Sequence, residues 1–437
     1  MNIERKTATI ADLPAFPLPK GETDESLFRS LCERGLAERY GDPIPQEARD
    51  RLDYEMRTIE KQGLARYFLI VREYLDWARS HDIGVGPGLN AASGSMAAYV
   101  LGITGIDPIE HGLVFELFIN PERPSERIPY IIAGIESERF PEVRRHVASR
   151  YGEEALRTIF CYDWDWLTEG LTPWDRYGPS RSTWAIGMIR RTCRIVEERT
   201  GSHIDPDRIP FDDEAALLEL RVNCEIKDYD LVPAKHFLEQ SMIEHLPPRF
   251  SNVAAIGAIT DGCKGETELA SGYFNEALSI MYPEDDRRQH EYEETGEIGT
   301  VLCSCEERVM PCRDERLQAV LGETLGIAVY DEQFARIAMC MCGFSAGKAS
   351  ELVSGKGDAW KRHEQDWYEG AAHNGYPRET AQQLWKLFAQ RMAWKTDAGK
   401  PVRRSKAAAT GRAIVLMRAA YLKAHYPDDY RRALFTF

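Results

Sequence analysis

The chain has 437 residues, of which 43% are hydrophobic and 29% charged, and its formal net charge is -15. These values are ordinary for a globular protein with two to four domains. No apolar run reaches the roughly 18 residues of a membrane span, and the polar start of the chain lacks the apolar core of a signal peptide. With ten scattered cysteines, we expect a cytoplasmic protein with free thiols and no membrane partner.

Positive charge is concentrated at the C-terminal end. Residues 386–437 contain twelve Lys and Arg against three Asp, a local charge of +9, which leaves -24 on the rest of the chain. A basic segment of this kind is typical of contact with a phosphate backbone. A solvated helix face without a partner is the alternative that the charge alone leaves open.

Helical spacing of apolar residues predicts the first elements of the chain. Residues 1–24 are Pro-rich and predict an extended lead-in. Glu25–Tyr40 carries leucines at helical spacing, and Gly41 marks its end. Gln46–His81 predicts two helices broken near Gly63, with a wide aromatic face that is more typical of a core than of a base-stacking surface.

A glycine-rich stretch that starts at Ile83 reads IGVGPGLNAASGSMAAYVLGITGIDP. It predicts a short strand end, then a loop, then a helix that begins near residues 93–95. Glycines between a strand and a helix N-terminus let backbone N–H groups approach an anion. Gly86, Gly88, Ser93 and Ser95 are therefore candidates for contact with a phosphate. Gly-Pro-Gly is also an ordinary turn, so a purely structural role stays open.

The second half of the chain predicts mainly helices. Asp212 or Asp213 is a candidate N-cap for the helix that follows it. The predicted helices are Trp184–Thr200, Tyr330–Cys342, Glu364–His373, Glu379–Met392 and Gly411–His425.

Several short motifs resemble one known family. The motifs VGPG, SGSMAAYVLGIT, DP, NPER and RYG, in this order and spacing, resemble the palm of the alpha subunit of bacterial DNA polymerase III, the C-family replicative polymerase. Segments on both sides extend the resemblance over most of Leu13–Leu434, with a poorly matching middle at 221–320. The resemblance predicts a DNA-directed DNA polymerase scaffold that works in DNA replication.

The resemblance implies an α+β fold: a polymerase palm with a small mixed sheet, surrounded by a mostly helical thumb and fingers. It divides the chain into a lead-in (1–24), the palm and its underlying helices (25–178), a reduced thumb and palm return (179–250), and a fingers-like helical region with the basic end (251–437). The family's phosphoesterase-like, helix-hairpin-helix and OB-fold regions have no counterpart, so we expect a shortened and degenerate copy.

The sequence departs from the family at the expected catalytic strand. There the family reads P-D-x-D-x-D-F, and its first two carboxylates bind two magnesium ions. Here the segment from Pro129 to Ile135 reads PYIIAGI, which places Tyr130, Ile132 and Gly134 at the acidic positions. The family's third carboxylate falls near Pro179, where no acid stands. Tyrosine and isoleucine cannot hold divalent ions against a polyphosphate, so we expect no catalytic residues and no cofactor.

The cations expected near the nucleotide are also reduced. The family's Arg-Gly-Ser after GPG is replaced by LNA at residues 89–91, and of the family's fingers cations only Lys356 remains. Losing bidentate arginines at a triphosphate site is not conservative, because lysine acts only as a point charge. Near the C-terminus Lys406 keeps its place, and Arg403, Arg404 and Arg412 add charge, which favours contact with the DNA backbone.

Carboxylates that have moved would give a second interpretation. Asp163 and Asp165, in CYDWDW, have the i, i+2 spacing that puts both side chains on one face of a strand. An exposed Trp/Asp loop explains the same residues, and Glu136 and Glu138 are weaker candidates. The displaced site would make the chain an active polymerase that needs Mg²⁺.

Together these features predict a DNA-binding or regulatory pseudoenzyme of the polymerase family. Its partners would be DNA, as primer-template or duplex backbone, and replication or repair proteins. The competing hypotheses are an active nucleotidyltransferase with a displaced metal site and an interaction protein with no affinity for DNA.

Overall fold

The computed structural model describes residues 9–124, 127–160, 181–222, 249–259, 315–324, 328–354, 359–393 and 404–435. Secondary structure in these residues is helical, with two isolated antiparallel bridges, Thr9 to Arg127 and Val85 to Ile135. The chain groups into two compact units, one of residues 1–211 with 410–437 and one of residues 212–409. No helix in the described ranges combines the length and the apolar character that crossing a bilayer requires.

The first unit is built on a bundle of helices around one apolar core. Helix α1 packs on α3 and α4, α2 packs on α4, and α3 packs on α5. Phe28, Met56, Phe68 and Phe115 are fully buried at the centre. The helices are α1 (Asp24–Tyr40), α2 (Gln46–Lys61), α3 (Ala65–Ser80), α4 (Met96–Val100), α5 (Phe140–Tyr151), α6 (Ala155–Ile159) and α7 (Arg181–Thr200).

The second unit is helical in its described residues and has an aromatic core. Trp360, Trp367, Trp385 and Phe388 contact one another, with Phe334 against Phe388. The helices are α8 (Glu214–Val222), α9 (Phe250–Ile259), α10 (Glu315–Leu321), α11 (Asp331–Cys342), α12 (Ala346–Ser354), α13 (Glu364–His373) and α14 (Arg378–Ala393). Two further helices, α15 (Lys406–His425) and α16 (Pro427–Phe435), complete the described chain, and the boundary between the units falls inside α15.

The predicted helices are confirmed, with ends that move by a few residues. The break near Gly63 is present, and α13 has the predicted bounds. Asp213 caps α8, since its carboxylate accepts the N–H of Ala216 at 2.8 Å. Helix α15 begins five residues earlier than predicted, at Lys406. The four-region division of the chain stays a prediction.

The predicted α+β class is wrong, because the described residues contain no strand and therefore no mixed palm sheet. The glycine loop and residues 132–136 do run antiparallel, but their register slips. Gly84 O accepts from Glu136 N, and Gly86 N donates to Gly134 O; Gly88 N then bonds Ala133 O, one residue out of step. Pro87 has no N–H, and Gly88 and Gly134 have φ of +106° and +83°, outside the β region. A regular ladder cannot continue through such residues.

Candidate functional site

The glycine loop is enclosed by its own protein. Its amides are already used: Gly86, Gly88 and Leu89 donate to the carbonyl oxygens of residues 134, 133 and 132 at 2.6, 3.0 and 2.7 Å. On the other side, a Cβ built on Gly411 of α15 would overlap the carbonyl oxygen of Gly88. The loop is therefore closed on both sides in this conformation, and its glycines permit packing of backbone on backbone.

Ile186 of α7 occupies a trough formed by three glycines. A Cβ on Gly84 would lie 2.9 Å from Ile186 Cγ2, and one on Gly86 would lie 2.6 Å from Ile186 Cδ1. A Cβ on Gly134 would lie 3.1 Å from the same Cδ1. Real Cβ atoms do not approach this closely in the first two cases, so a side chain at Gly84 or Gly86 would displace Ile186 from its present position.

Gly134 stands at one of the expected acidic positions, and a side chain there would displace Leu89. A Cβ on Gly134 would lie 2.8 Å from Leu89 Cδ1, and Leu89 is the residue that replaces the expected loop arginine. The residues that replace the family's loop arginine and this acidic residue are thus both uncharged, and they lie against each other. The positive φ of Gly134 disfavours a side chain independently of the space.

At the other two expected acidic positions, the backbone is hydrogen-bonded by the side chain of Asn90. Its amide nitrogen donates to Tyr130 O at 2.9 Å, and its amide oxygen accepts from Ile132 N at 3.2 Å. The Asn90 side chain thereby takes the place of the backbone hydrogen bonds that a neighbouring strand would make. Tyr130 is 44% exposed and Ile132 is half-buried. Neither side chain is a ligand for a hard divalent cation.

The acidic residues that follow this segment are paired. Glu136 is 5% exposed and accepts the N–H of Gly84 at 3.0 Å, with Arg139 Nε 3.9 Å away. Burial raises the pKa of Glu136, and the bond from Gly84 and the nearby arginines partly oppose the shift. Glu138 forms an ion pair with Arg191 of α7. Glu136 is therefore bonded to the loop, and Glu138 is bonded to α7.

The N-terminus of α4, which the sequence predicts as a phosphate site, is already occupied by a carboxylate of the protein. Glu55 of α2 is fully buried and accepts from Ser95 Oγ at 2.8 Å and from Ala97 N at 3.1 Å, at the N-terminus of α4. Arg51 Nε lies 2.6 Å from Glu55 and balances its charge. Burial raises the pKa of Glu55 against the effect of Arg51. Ser93 is also fully buried.

The basic C-terminal stretch contains a similar arrangement. Glu332 of α11 accepts from Lys406 N at 2.7 Å, Ala407 N at 3.1 Å and Ser405 Oγ at 3.0 Å, at the N-terminus of α15. Lys406 Nζ lies 2.7 Å from Glu323, and Arg404 is 2% exposed. Two of the predicted DNA contacts are thus buried in this conformation. Arg412, the third in the described residues, is half-buried.

The remaining predicted site residues lie outside the described residues, and their roles stay predictions. They are Asp163, Asp165, Pro179, Lys356 and Arg403.

Comparison with known proteins agrees with the motifs. The model of the bacterial DNA polymerase III alpha NTPase domain matches residues 26–163, and that of the alpha-subunit finger domain matches residues 185–375. The chain belongs to the family of bacterial DNA polymerase III alpha subunits. DNA polymerase III subunit alpha of Halalkalibacterium halodurans is 26% identical over 97% of this chain, and that of Bacillus subtilis is 27% identical over 97%. The protein of Aquifex aeolicus is 25% identical over 96%.

This member of the family spans 44% of the length of each of these three relatives. The two magnesium ions that the family implies do not fit the described residues at its expected strand, because a tyrosine and an isoleucine replace the two carboxylates that would bind them. The described part of the chain also contains no group of three or more His, Cys, Asp or Glu that could hold a metal ion.

Sequence reasoning missed the residues that close the site. Glu55, Glu332 and Ile186 lie on helices and are ordinary in their local pattern. For Glu55 and Glu332 the available signal was a glutamate on a helix that is predicted to pack in the core, because a charge buried there needs partners. Nothing local to residue 186 indicates a contact with Gly84, Gly86 and Gly134, which lie far earlier in the chain.

Proposed function

We propose that this family member has lost nucleotidyl transfer and acts as a DNA-binding or regulatory pseudo-polymerase in replication or repair. The observation that carries the proposal is the packing of Gly134. At a position where the family has an acid, Leu89 and Ile186 fill the space that a side chain would need.

Restoring a carboxylate at residue 134 would be costly. The backbone there has φ of +83°, and holding a non-glycine residue in such a region costs roughly 1–3 kcal/mol before any overlap is counted. Leu89 and Ile186 would then have to leave an apolar contact to make room for a charge. These costs support a scaffold that has adapted to the loss of an acidic residue of this strand.

Primer extension with Mg²⁺ tests the loss of activity. We expect no incorporation by the wild-type chain, and none by the Tyr130→Asp/Ile132→Asp variant, because no acid stands near Pro179, where the family has its third catalytic carboxylate. Incorporation by the wild type would contradict the proposal. If Asp163→Asn or Asp165→Asn then abolished it while Asp24→Asn, an acid of α1, left it intact, the displaced metal site would be established.

A role in DNA contact is supported by two observations. The relatives that match the chain are named as DNA polymerases, and the C-terminal end is strongly basic while the rest is acidic. Among the predicted contacts, Arg403 and Arg412 are the ones we assign to backbone phosphates. Arg404 and Lys406 are buried in the conformation described, so we assign them to folding rather than to DNA.

Fluorescence anisotropy with primer-template DNA over a salt series tests this role. We expect binding that weakens with salt, and a log–log salt slope that falls by about 1 for each phosphate contact removed by Arg403→Ala or Arg412→Ala. Arg34→Ala, on the exposed side of α1, is the matched control and should keep the wild-type slope. Absence of binding at low salt would contradict the DNA role and favour a protein-interaction role.

A further inference from the structure

An arginine-lined cleft lies in the first unit, beside the start of the glycine loop. Its volume is about 180 Å³, and it lies between the end of α3, residues 83–85, α7, residues 205–207 and α15. Its charged lining residues are Arg79, Arg190, Arg418, Asp205 and Asp207.

Arg418 is the most deeply placed of these groups. It is 4% exposed, and its Nη2 lies 2.9 Å from Asp207 Oδ1. Its Nε makes no hydrogen bond to any residue in the described ranges. Burial lowers the pKa of Arg418, and Asp207 opposes the shift. A guanidinium has five N–H donors, so Arg418 has the capacity for a further acceptor.

The other two arginines are held in place by the walls. Arg79 donates to Gly102 O at 2.6 Å and lies 3.3 Å from Asp76, and Arg190 Nε donates to Asp82 at 2.6 Å. Cations that are positioned by the protein lose little side-chain entropy when they bind a ligand.

The two carboxylates differ in how firmly they are held. Asp205 accepts the N–H of Asp207 at 3.0 Å and lies 3.6 Å from Arg208 Nε. The Asp207 side chain is 63% exposed. An anion entering the cleft would therefore compete with one solvent-facing carboxylate for Arg418.

We infer that this cleft binds a phosphate group, either inorganic phosphate or the terminal phosphate of a nucleic-acid strand. Arginine forks match the oxygens of phosphate in pairs, which a point charge cannot do. The volume is below the roughly 300–1,000 Å³ of pockets for drug-sized ligands, so the site suits a small anion. It uses none of the donors of residues 86–95 and does not depend on the proposed DNA role.

Calorimetric titration of the full chain with inorganic phosphate is the first test. Arg418→Met should lower the affinity by about tenfold or more, since it removes hydrogen bonds to a charged group. Asp207→Asn should raise the affinity severalfold, because it releases Arg418. Arg431→Met, which removes a 70% exposed arginine of α16, should leave the affinity unchanged.

A folding defect is separated from a binding defect by Arg418→Lys, which keeps the charge but loses the fork and should bind with intermediate affinity. Unchanged phosphate affinity in a folded Arg418→Met chain, or weaker binding in Asp207→Asn, would overturn the inference. So would absence of phosphate binding by the wild type.

The source of the phosphate is decided with two single strands of one sequence, one 5′-phosphorylated and one 5′-hydroxyl. Tighter binding of the phosphorylated strand, lost in Arg418→Met, supports a strand terminus as the ligand. Equal binding of both strands, with inorganic phosphate still bound, supports a free anion. Loss of all strand binding with phosphate binding intact would contradict the DNA role and not this site.

Discussion

Two helix N-termini in this protein are capped by a buried glutamate from another helix, and the two differ in how the charge is balanced. At α4, Glu55 takes donors from Ser95 and Ala97 and has Arg51 as a counter-ion 2.6 Å away. At α15, the described hydrogen bonds of Glu332 come from backbone amides and a serine hydroxyl.

In the described structure, the donors at both helix starts are already used by a carboxylate of the protein. A helix N-terminus attracts an external anion when its amides are free. In both regions the protein supplies the anion itself, at positions where the sequence predicts contact with nucleotide or DNA. The difference is that the carboxylate at α4 is balanced by an arginine, whereas the carboxylate at α15 is stabilised, in the described residues, by the dipoles of backbone amides and a hydroxyl.

Removing each carboxylate gives the largest expected effect. Glu55→Ala takes the counter-ion from the half-buried Arg51, which keeps bonds to two backbone carbonyl oxygens, and leaves the donors of Ser95 and Ala97 unsatisfied. We expect a loss of about 3–5 kcal/mol in the free energy of unfolding. Glu332→Ala leaves amides and a hydroxyl unsatisfied, at about 2–3 kcal/mol. Urea denaturation measures both losses, and hydrogen exchange of α4 and α15 assigns each to its region. Glu38→Ala, at a 70% exposed residue, is the control.

A larger loss at residue 332 than at residue 55 would break the comparison, because it would mean that the dipole-capped site depends more on charge than the ion pair does.

Replacing each carboxylate by its amide sharpens the same contrast. Both oxygens of Glu55 accept hydrogen bonds, one from Arg51 and the other from Ser95 and Ala97. Glu55→Gln keeps one acceptor and turns an NH2 donor toward the other set of donors, so we expect a loss of about 2 kcal/mol. Glu332→Gln keeps an acceptor for neutral donors, so the loss should be about 1 kcal/mol. Urea midpoints at neutral pH measure both, with Glu38→Gln as the control. Equal losses would argue that Arg51 contributes nothing at the cap.

The serines test what the two caps share. Ser95 Oγ accepts the N–H of Ala98 at 3.2 Å, and Ser405 Oγ accepts that of Ala408 at 3.3 Å. Ser95→Ala and Ser405→Ala should therefore cost a similar amount, about 1 kcal/mol each. A difference between them of more than about 1 kcal/mol, the usual size of one such cap, would show that the hydroxyls do different work. Ser202→Ala, in an exposed turn, is the control for thermal unfolding.

The smallest expected effect is a drift of stability with pH. Burial raises the folded-state pKa of both Glu55 and Glu332, above the unfolded value of about 4.3. The folded chain therefore binds the proton more tightly, so this contribution is complete below pH 4.3 or so and is lost as the pH rises through the folded pKa. Urea midpoints from mildly acidic to neutral pH should fall more steeply in the wild type than in Glu332→Gln. An opposite slope would contradict the shift.

Local sequence patterns were enough to predict much of the helical structure. Helices α1 to α3 could be predicted because apolar spacing, the break at Gly63 and the stop at Gly41 act within a few residues. Whether the segments near residues 85 and 135 form a sheet could not be predicted from such local patterns. Their pairing depends on partners some fifty residues apart and on backbone angles at Gly88 and Gly134 that no sequence pattern specifies. The inferred strand was wrong for that reason.

By itself, the sequence determined the helices, the family and the missing carboxylates at Tyr130, Ile132 and Gly134, since these follow from residue identity and short-range spacing. Only the tertiary structure decided what occupies the empty positions: Ile186 in the glycine trough, Leu89 against Gly134, and Glu55 and Glu332 at the helix starts. These contacts join residues far apart in the chain, and close packing and the pairing of buried charge, which act only after folding, select them.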